Sequence, residues 1–262
     1  MQFDPVGSTL DGVIAAARID TLMNHGWPAA DSTELDGWVV RRNAGVTLRA
    51  NSVLPKRAPF DLGKALDYVE NLYAAHDIAP SFQVGPAAQP GDLDDRLAAR
   101  GYELRNPTLV MGAELADVLA NLGEPAEQLG PVNISAAPDD SWMDFWWAVD
   151  GRGGSAAQAA ARQILNRARA LYAVIPSGQP VQAIGRLALV DDWAGLYCLA
   201  VDPKHRRQGL AQAVIHGLLQ QASTLGVVRV WLQVVESNAP ARALYDRLGF
   251  RTVSRYHYRV KG

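Results

Sequence analysis

The apolar pattern of this chain switches period several times between residues 196 and 250, and each switch marks an element. Residues 196–201 form a near-continuous apolar run, suited to a central strand covered on both faces. After Gly209 the apolar positions Leu210, Ala213, Val214, Gly217, Leu218, Ala222 and Leu225 recur every three or four residues, which predicts a helix with one stripe facing a sheet. Residues 227–235 read as a second apolar strand. A further helix comes next, with Asn238 able to cap it, Pro240 tolerated in its first turn, and Ala241, Leu244, Tyr245 and Leu248 on one face. Tyr245 is thereby expected to point inward. Upstream, the pattern predicts a short strand at 132–136, a helix at 139–149 and strands at 171–175 and 181–190, the last two joined as a hairpin through Pro176, Ser177 and Gly178.

Between the first strand and the first helix of that series the chain reads Asp202-Pro-Lys-His-Arg-Arg-Gln-Gly-Leu-Ala211. A helix start leaves backbone N–H groups without intrahelical partners, and its dipole favours an anion, so a diphosphate could be held there largely by main chain. Gly209 removes the side chain that would keep phosphate oxygens away, and Lys204, Arg206 and Arg207 supply positive charge. A plain structural turn uses the same residue types, so the residues downstream of the second strand decide between the two. They read Ser237-Asn-Ala-Pro-Ala-Arg-Ala-Leu-Tyr-Asp-Arg-Leu-Gly-Phe250.

With both motifs in this order, residues 131–262 resemble the GCN5-related N-acetyltransferase (GNAT) family. The phosphate-loop pattern is matched by Arg206, Gly209 and Ala211, and the later pattern by Asn238, Tyr245, Gly249 and Phe250. The resemblance implies acetyl-CoA as cosubstrate and two strands, 196–201 and 227–235, that splay to admit its pantetheine arm. Backbone groups of Leu199, Ala200 and Val201 would meet that arm. The loop Arg206, Arg207, Gln208, Gly209, Leu210, Ala211 and Gln212, with Asn238 and Tyr245, would contact the cofactor. Tyr245 matches the tyrosine that protonates or steers the departing thiolate; a packed core tyrosine is the competing reading. Some members carry a glutamate on the second splayed strand, where this chain has Gln233, which cannot accept a proton. Glu236 is the remaining candidate base, acting through a water, against a solvated glutamate at a strand end. For the acceptor, a small-molecule or peptide amine, the resemblance points to the first helix. There Trp142 and Trp146 share a core face, Trp147 is a candidate site wall and Asp150 a candidate contact. The glycine-rich stretch 151–155 reads as a flap or as a linker.

Composition narrows the field further. The chain has 262 residues, 48% of them hydrophobic, enough for two cores, and a net charge of -2 that leaves no nucleic-acid footprint. The lone cysteine, Cys198, excludes an internal disulfide and a cysteine-rich metal site, and is expected to be a buried, inert thiol. No basic-then-apolar leader and no run approaching ~18 apolar residues is present, so a soluble, cytoplasmic protein without membrane or metal partners, monomeric or homodimeric, is expected.

Residues 1–128 read as a worn copy of residues 129–262. Val53-Leu-Pro-Lys56 aligns with Val201-Asp-Pro-Lys204 at an offset of 148 (201 minus 53), Ser81-Phe-Gln-Val84 with Trp231-Leu-Gln-Val234 at 150 (231 minus 81), and Asp95-Arg-Leu97 with Asp246-Arg-Leu248 at 151 (246 minus 95). With two copies of one fold, the resemblance implies an α/β architecture of two tandem GNAT-like domains of the actinobacterial type, each a mixed, mostly antiparallel sheet flanked by helices and containing a splayed strand pair. The first copy has Pro59 opposite Arg207 and Asp61 opposite Gly209, removing a backbone donor and adding a negative charge, so it should not hold acetyl-CoA. Lys56 and Arg57 are expected to be solvated. Direct acetyl transfer to a primary amine is the leading function. The alternatives are an acyl-CoA-binding regulatory protein without activity, which Gln233 favours, and a nucleotide-binding module, which the missing Lys-Ser/Thr of a Walker loop disfavours.

Overall fold

The computed structural model describes residues 10–126, 129–151, 153–176 and 181–262. The tip of the hairpin expected around Ser177 and Gly178 lies outside the described residues. In chain order the elements are α1 (Leu10–Gly26), β1 (Asp31–Leu35), β2 (Trp38–Arg42), β3 (Val53–Pro55), α2 (Leu62–Ala74), β4 (Ser81–Val84), α3 (Leu93–Ala99), β5 (Tyr102–Glu114), α4 (Leu115–Leu122), β6 (Asn133–Ser135), α5 (Asp140–Asp150), α6 (Ser155–Leu165), β7 (Ala170–Pro176), β8 (Val181–Val190), β9 (Trp193–Val201), α7 (Leu210–Ser223), β10 (Arg229–Val235), α8 (Ala239–Arg247) and β11 (Arg251–Lys261). The fold is α/β, with mixed, mostly antiparallel pairing and helices flanking the strands.

These elements form two compact units. The first comprises residues 1–110, 234–239 and 252–262, so it takes in segments that a cut at residue 129 gives to the second copy. Its strand order is β1-β2-β3-β4-β11-β5. β11 runs antiparallel to β4, His257 facing Val84 and Val260 facing Ser81. Ion pairs fasten that last strand. The Arg259 guanidinium donates to Asp94 at 2.7 and 3.2 Å, and the Lys261 ammonium sits 2.9 Å from Glu70. The apolar faces of α2 and α3 bury Leu66, Val69, Leu93 and Leu97 together with Trp38, Phe82 and Tyr102.

The second unit comprises residues 111–233 and 240–251, with strand order β10-β9-β8-β7-β6. α5 buries Trp142, Met143 and Trp146, as expected for a core face, and Asp139 caps it by accepting the Trp142 N–H at 2.8 Å. α7 packs on β7, β8 and β9, and also against α4. For that reason Ile215, His216 and Leu219 are buried along with the sheet-facing stripe. Leu225 departs from the expected stripe: it lies past the helix end and is 42% exposed. α6 has no counterpart in the expected elements; it buries Ala161, Ile164 and Leu165.

Candidate active site

The site begins with a bulge. β8 and β9 pair regularly as far as Arg186 opposite Tyr197, then resume with Ile184 opposite Ala200, so β9 carries one residue more than its partner. Cys198, at φ +51°, absorbs the excess, and is half-buried there instead of fully buried as expected. A bulge bends its own strand and sharpens the local twist. On the opposite edge, the parallel pairing of β9 with β10 runs from Trp193 opposite Arg229 to Leu196 opposite Leu232 and then stops. Beyond this point Leu199, Ala200 and Val201 have no ladder partner in β10.

β9 leads into a turn whose side chains stabilise the corner. Asp202 accepts the Lys204 N–H at 2.8 Å, and its carbonyl accepts the His205 N–H at 2.8 Å. Arg207 then adopts φ +66° and Gly209 φ +88°. Left-handed backbone at Gly209 is where glycine alone carries no Cβ penalty. The first helical bond of α7 is from the Ala213 N–H to the Gly209 carbonyl, at 3.0 Å, so the amides of Leu210, Ala211 and Gln212 precede the ladder. Arg206, Arg207 and Gln208 are exposed, and Gly209 is half-buried. Amides outside the ladder at the positive end of the helix dipole, with exposed Arg206 and Arg207 just before them in the chain, are the chemistry that could hold a diphosphate.

Tyr245 lies on α8 in the same unit and is half-buried. Burial alone raises its hydroxyl to about 12. Gly249, at φ +92°, ends the helix, and the Phe250 N–H returns to the Tyr245 carbonyl at 3.1 Å. The buried Phe250 ring then meets the Tyr245 ring edge-on at 5.8 Å. The Gly-Phe pair of the motif is thus a helix stop that fixes the tyrosine. At the splay, the Gln233 Nε2 donates to the Tyr197 hydroxyl at 3.5 Å. Under Tyr197 lies the fully buried Arg186 guanidinium, 5.4 Å from the ring centroid, whose Nε donates to the Tyr172 hydroxyl at 3.1 Å. Tyr197 and Arg186 escaped the sequence reading, although an arginine within an otherwise apolar strand was the available signal.

Other expected residues stand elsewhere. Glu236 and Asn238 are exposed and fall in the segment compact with the first unit, where the Glu236 N–H donates to the Pro107 carbonyl at 2.8 Å. Trp147 is half-buried and its indole N–H donates to the Gly153 carbonyl at 3.3 Å, so it fastens the glycine-rich stretch. Asp150 is exposed at the end of α5.

Residues 17–259 match the family model described as "Probable histone acetyltransferase Rv0428c C-terminal". The chain belongs to this family of GNAT acetyltransferases. Over 247 residues it is 27% identical to the uncharacterized N-acetyltransferase YobR of Bacillus subtilis, spanning 93% of this chain and 98% of that one. In fold it is similar to a GCN5-related N-acetyltransferase from Kribbella flavida (TM-score 0.67, 18% identity, covering 97% of this chain and 96% of that one). It is also similar to a tandem GNAT protein from the clavulanic acid biosynthesis pathway (TM-score 0.65, 18% identity, 97% and 94%). In this GNAT chain the parting of β9 from β10 and the turn that leads to Gly209 both lie in the second unit.

In the first unit of this GNAT chain the positions aligned with the second unit's site differ. β3 and β4 share a single parallel pair, Val53 opposite Phe82. The end of β3 is already engaged: the Gln89 N–H donates to the Pro55 carbonyl at 2.9 Å, and the Trp38 indole N–H donates to the Gln89 carbonyl at 3.1 Å. At the start of α2 the Asp61 carboxylate accepts the Lys64 N–H at 3.1 Å, and this bond holds the carboxyl below its usual range. A built-in anion occupies the helix start. Among the described residues, no helix is long and apolar enough to cross a membrane.

Proposed function

We propose that the second unit transfers an acetyl group from acetyl-CoA to a primary amine of a small molecule or peptide, by direct attack and without an acyl-enzyme. The observation that carries the reading is the parting of β9 from β10 after Leu196 and Leu232, followed in the turn past the end of β9 by the left-handed Gly209. The first supplies unpaired main chain for the pantetheine amides, the second an amide cradle for the diphosphate. The division into two copies at residues 128 and 129, action in the cytoplasm and a monomeric or dimeric state belong to the same reading.

In the reaction the amine nitrogen attacks the thioester carbonyl carbon, the C–S bond breaks, and the thiolate leaves. A hydroxyl at about 12 is a poor acid toward a thiolate near 8.5, since full transfer runs uphill by ~5 kcal/mol. Tyr245 therefore acts here as a hydrogen-bond donor that steers and stabilises the thiolate, and the proton the thiolate finally takes is the one the amine releases. Gln233 accepts no proton, so the amine arrives neutral or loses its proton to water. Glu236 keeps the role of a solvent-relayed base, which Glu236→Gln tests, and Asn238 keeps its cofactor contact on the motif alone. Trp147 and Asp150 remain the proposed acceptor contacts.

CoA release measured with a panel of amines is the test. Steady turnover that falls ~100-fold in Tyr245→Phe, as for loss of one preorganised hydrogen-bond donor, with little change in KM for acetyl-CoA, supports the enzyme. Binding of acetyl-CoA without turnover on any amine supports the second reading, an acyl-CoA-binding regulator, which the amide at Gln233 favours.

A further inference from the structure

A buried cation lies beside the point where β9 and β10 part. Arg186, on β8, is fully buried and pairs with Tyr197, the residue that follows Leu196. Its guanidinium is 5.8 Å from the Tyr172 ring centroid and 5.4 Å from that of Tyr197, and it donates to the Tyr172 hydroxyl at 3.1 Å and to the Leu165 carbonyl at 3.4 Å. These contacts hold the charge in place and, being neutral, do not cancel it. Titratable groups facing it are the phenols of Tyr172 on β7 and Tyr197 on β9, with the Cys198 thiol in electrostatic reach of Tyr172. On β10, the residue after Leu232 is the half-buried Gln233, whose Nε2 donates to the Tyr197 hydroxyl at 3.5 Å. Tyr197 and Gln233 thus follow the last paired residues of their strands, and their side chains meet across the gap.

A nucleophile that reaches a thioester lodged between the two strands meets this pair. An ammonium is disfavoured there twice over. Gln233 presents an amide, which neither attracts the ion as a carboxylate would nor takes its proton, and the guanidinium behind Tyr197 repels it. A neutral amine meets neither obstacle, and its lone pair is what attacks. The supply of neutral amine then decides which acceptors react. At about pH 7.5 an α-amino group, whose ammonium pKa is near 8, is about one-quarter neutral, whereas an alkylamine such as a lysine side chain, near 10.4, is about 0.1% neutral.

Given acetyl transfer to an amine as the reaction, on which this inference rests, we propose that the second unit selects weakly basic amines over alkylamines, and that Gln233 and the buried Arg186 impose the choice. The ammonium gives its proton to water before it arrives. The neutral nitrogen then forms the C–N bond, the C–S bond breaks, and a second N–H proton passes to the departing thiolate. The test is CoA release with two isomers, lysinamide acetylated on its ε-nitrogen and lysinamide acetylated on its α-nitrogen, alongside a wider panel of amines. At about pH 7.5 the parent chain uses the free α-amine with a kcat/KM ~100-fold higher, and the gap closes ~20-fold by about pH 9.5, following the neutral fraction of each amine. The fastest acceptor of the panel is likewise a weak base. Gln233→Glu, which supplies a carboxylate, narrows the gap at about pH 7.5 roughly tenfold. Arg186→Met moves it the same way, and Gln233→Glu, at a half-buried position, decides the matter where that variant does not fold. A gap that is absent or reversed, that stays constant with pH, or that survives Gln233→Glu unchanged overturns the selection and leaves acetyl transfer intact; so does an alkylamine as fastest acceptor. A parent chain that acetylates no amine of the panel overturns the acetyl-transfer reading, and this inference with it.

Discussion

Leu196 and Leu232 are the last residues to face each other across β9 and β10. Up to that pair, the two strands are an ordinary parallel ladder; after it, the extra residue at Cys198 turns β9 away. Because the bulge lies within the strand and Gly209 lies just past its end, the fold creates the open edge and the anion seat from one continuous stretch of chain.

Under the proposed reading, the first copy lacks more than one feature of a cofactor site. Asp61→Gly removes the carboxylate at the start of α2 but leaves Gln89 bonded to Pro55. The variant is expected to melt at a lower temperature, having lost a helix cap, and to bind acetyl-CoA still at one per chain. A calorimetric stoichiometry of two would show that the charge alone had closed the first site.

Tyr245 sets a pH expectation. With its hydroxyl raised to about 12, the residue stays neutral and able to donate throughout the range in which the chain is handled. The ratio of wild-type to Tyr245→Phe turnover should therefore be flat between roughly pH 6 and 9. A ratio that falls toward the basic end would mean that the tyrosine ionises and acts as a base.

Stability at acid pH should report on Glu70. Its carboxyl is brought from 4.5 down to about 2, chiefly by the Arg100 guanidinium, with Lys261 and Tyr102 assisting. A depressed folded value means that the stabilisation is present above the unfolded value, near 4.5, and is lost as pH falls toward 2. Because these charges are partly solvated, the contribution is discounted to about 1 kcal/mol. Glu70→Gln should lower Tm by ~2–4 °C at pH 7 and flatten the decline between about pH 4.5 and 2. An unchanged acid limb would remove the cluster from the account.

Packing supplies a further check. Gly195 faces Trp231 in the β9–β10 ladder, and a Cβ there would fall 2.5 Å from the indole and 2.7 Å from the Tyr197 ring. Both neighbours are rigid rings in the core, so Gly195→Ala should destabilise by ~1–3 kcal/mol, read as a shift of the denaturant midpoint at constant slope. A neutral result would mean that the ladder above the splay tolerates expansion.

Much of this was legible in the chain because local signals agreed with one another. The apolar run into a basic turn, the αL-demanding glycine and the Gly-Phe helix stop each have a short-range cause, and each sits where the pattern put it. What was not legible depends on distant partners. Burial of Ile215 and Leu219 follows from α4 packing on α7, and the association of β11 with β4 follows from pairing across the whole chain length; neither leaves a mark in a local window. The bulge at Cys198 and the Tyr197–Arg186 pair beneath the splay are likewise register effects, visible only once β8 and β9 are aligned.

The central claim is that the left-handed corner at Gly209 seats the diphosphate of acetyl-CoA. Calorimetry of acetyl-CoA with the parent chain and with Gly209→Asp, which recreates in the second copy the carboxylate found at Asp61, tests it most directly. The account predicts saturable binding at one site per parent chain and a loss of at least ~100-fold in the variant, about 3 kcal/mol. Equal affinity in the two proteins, or no heat with the parent, would contradict it.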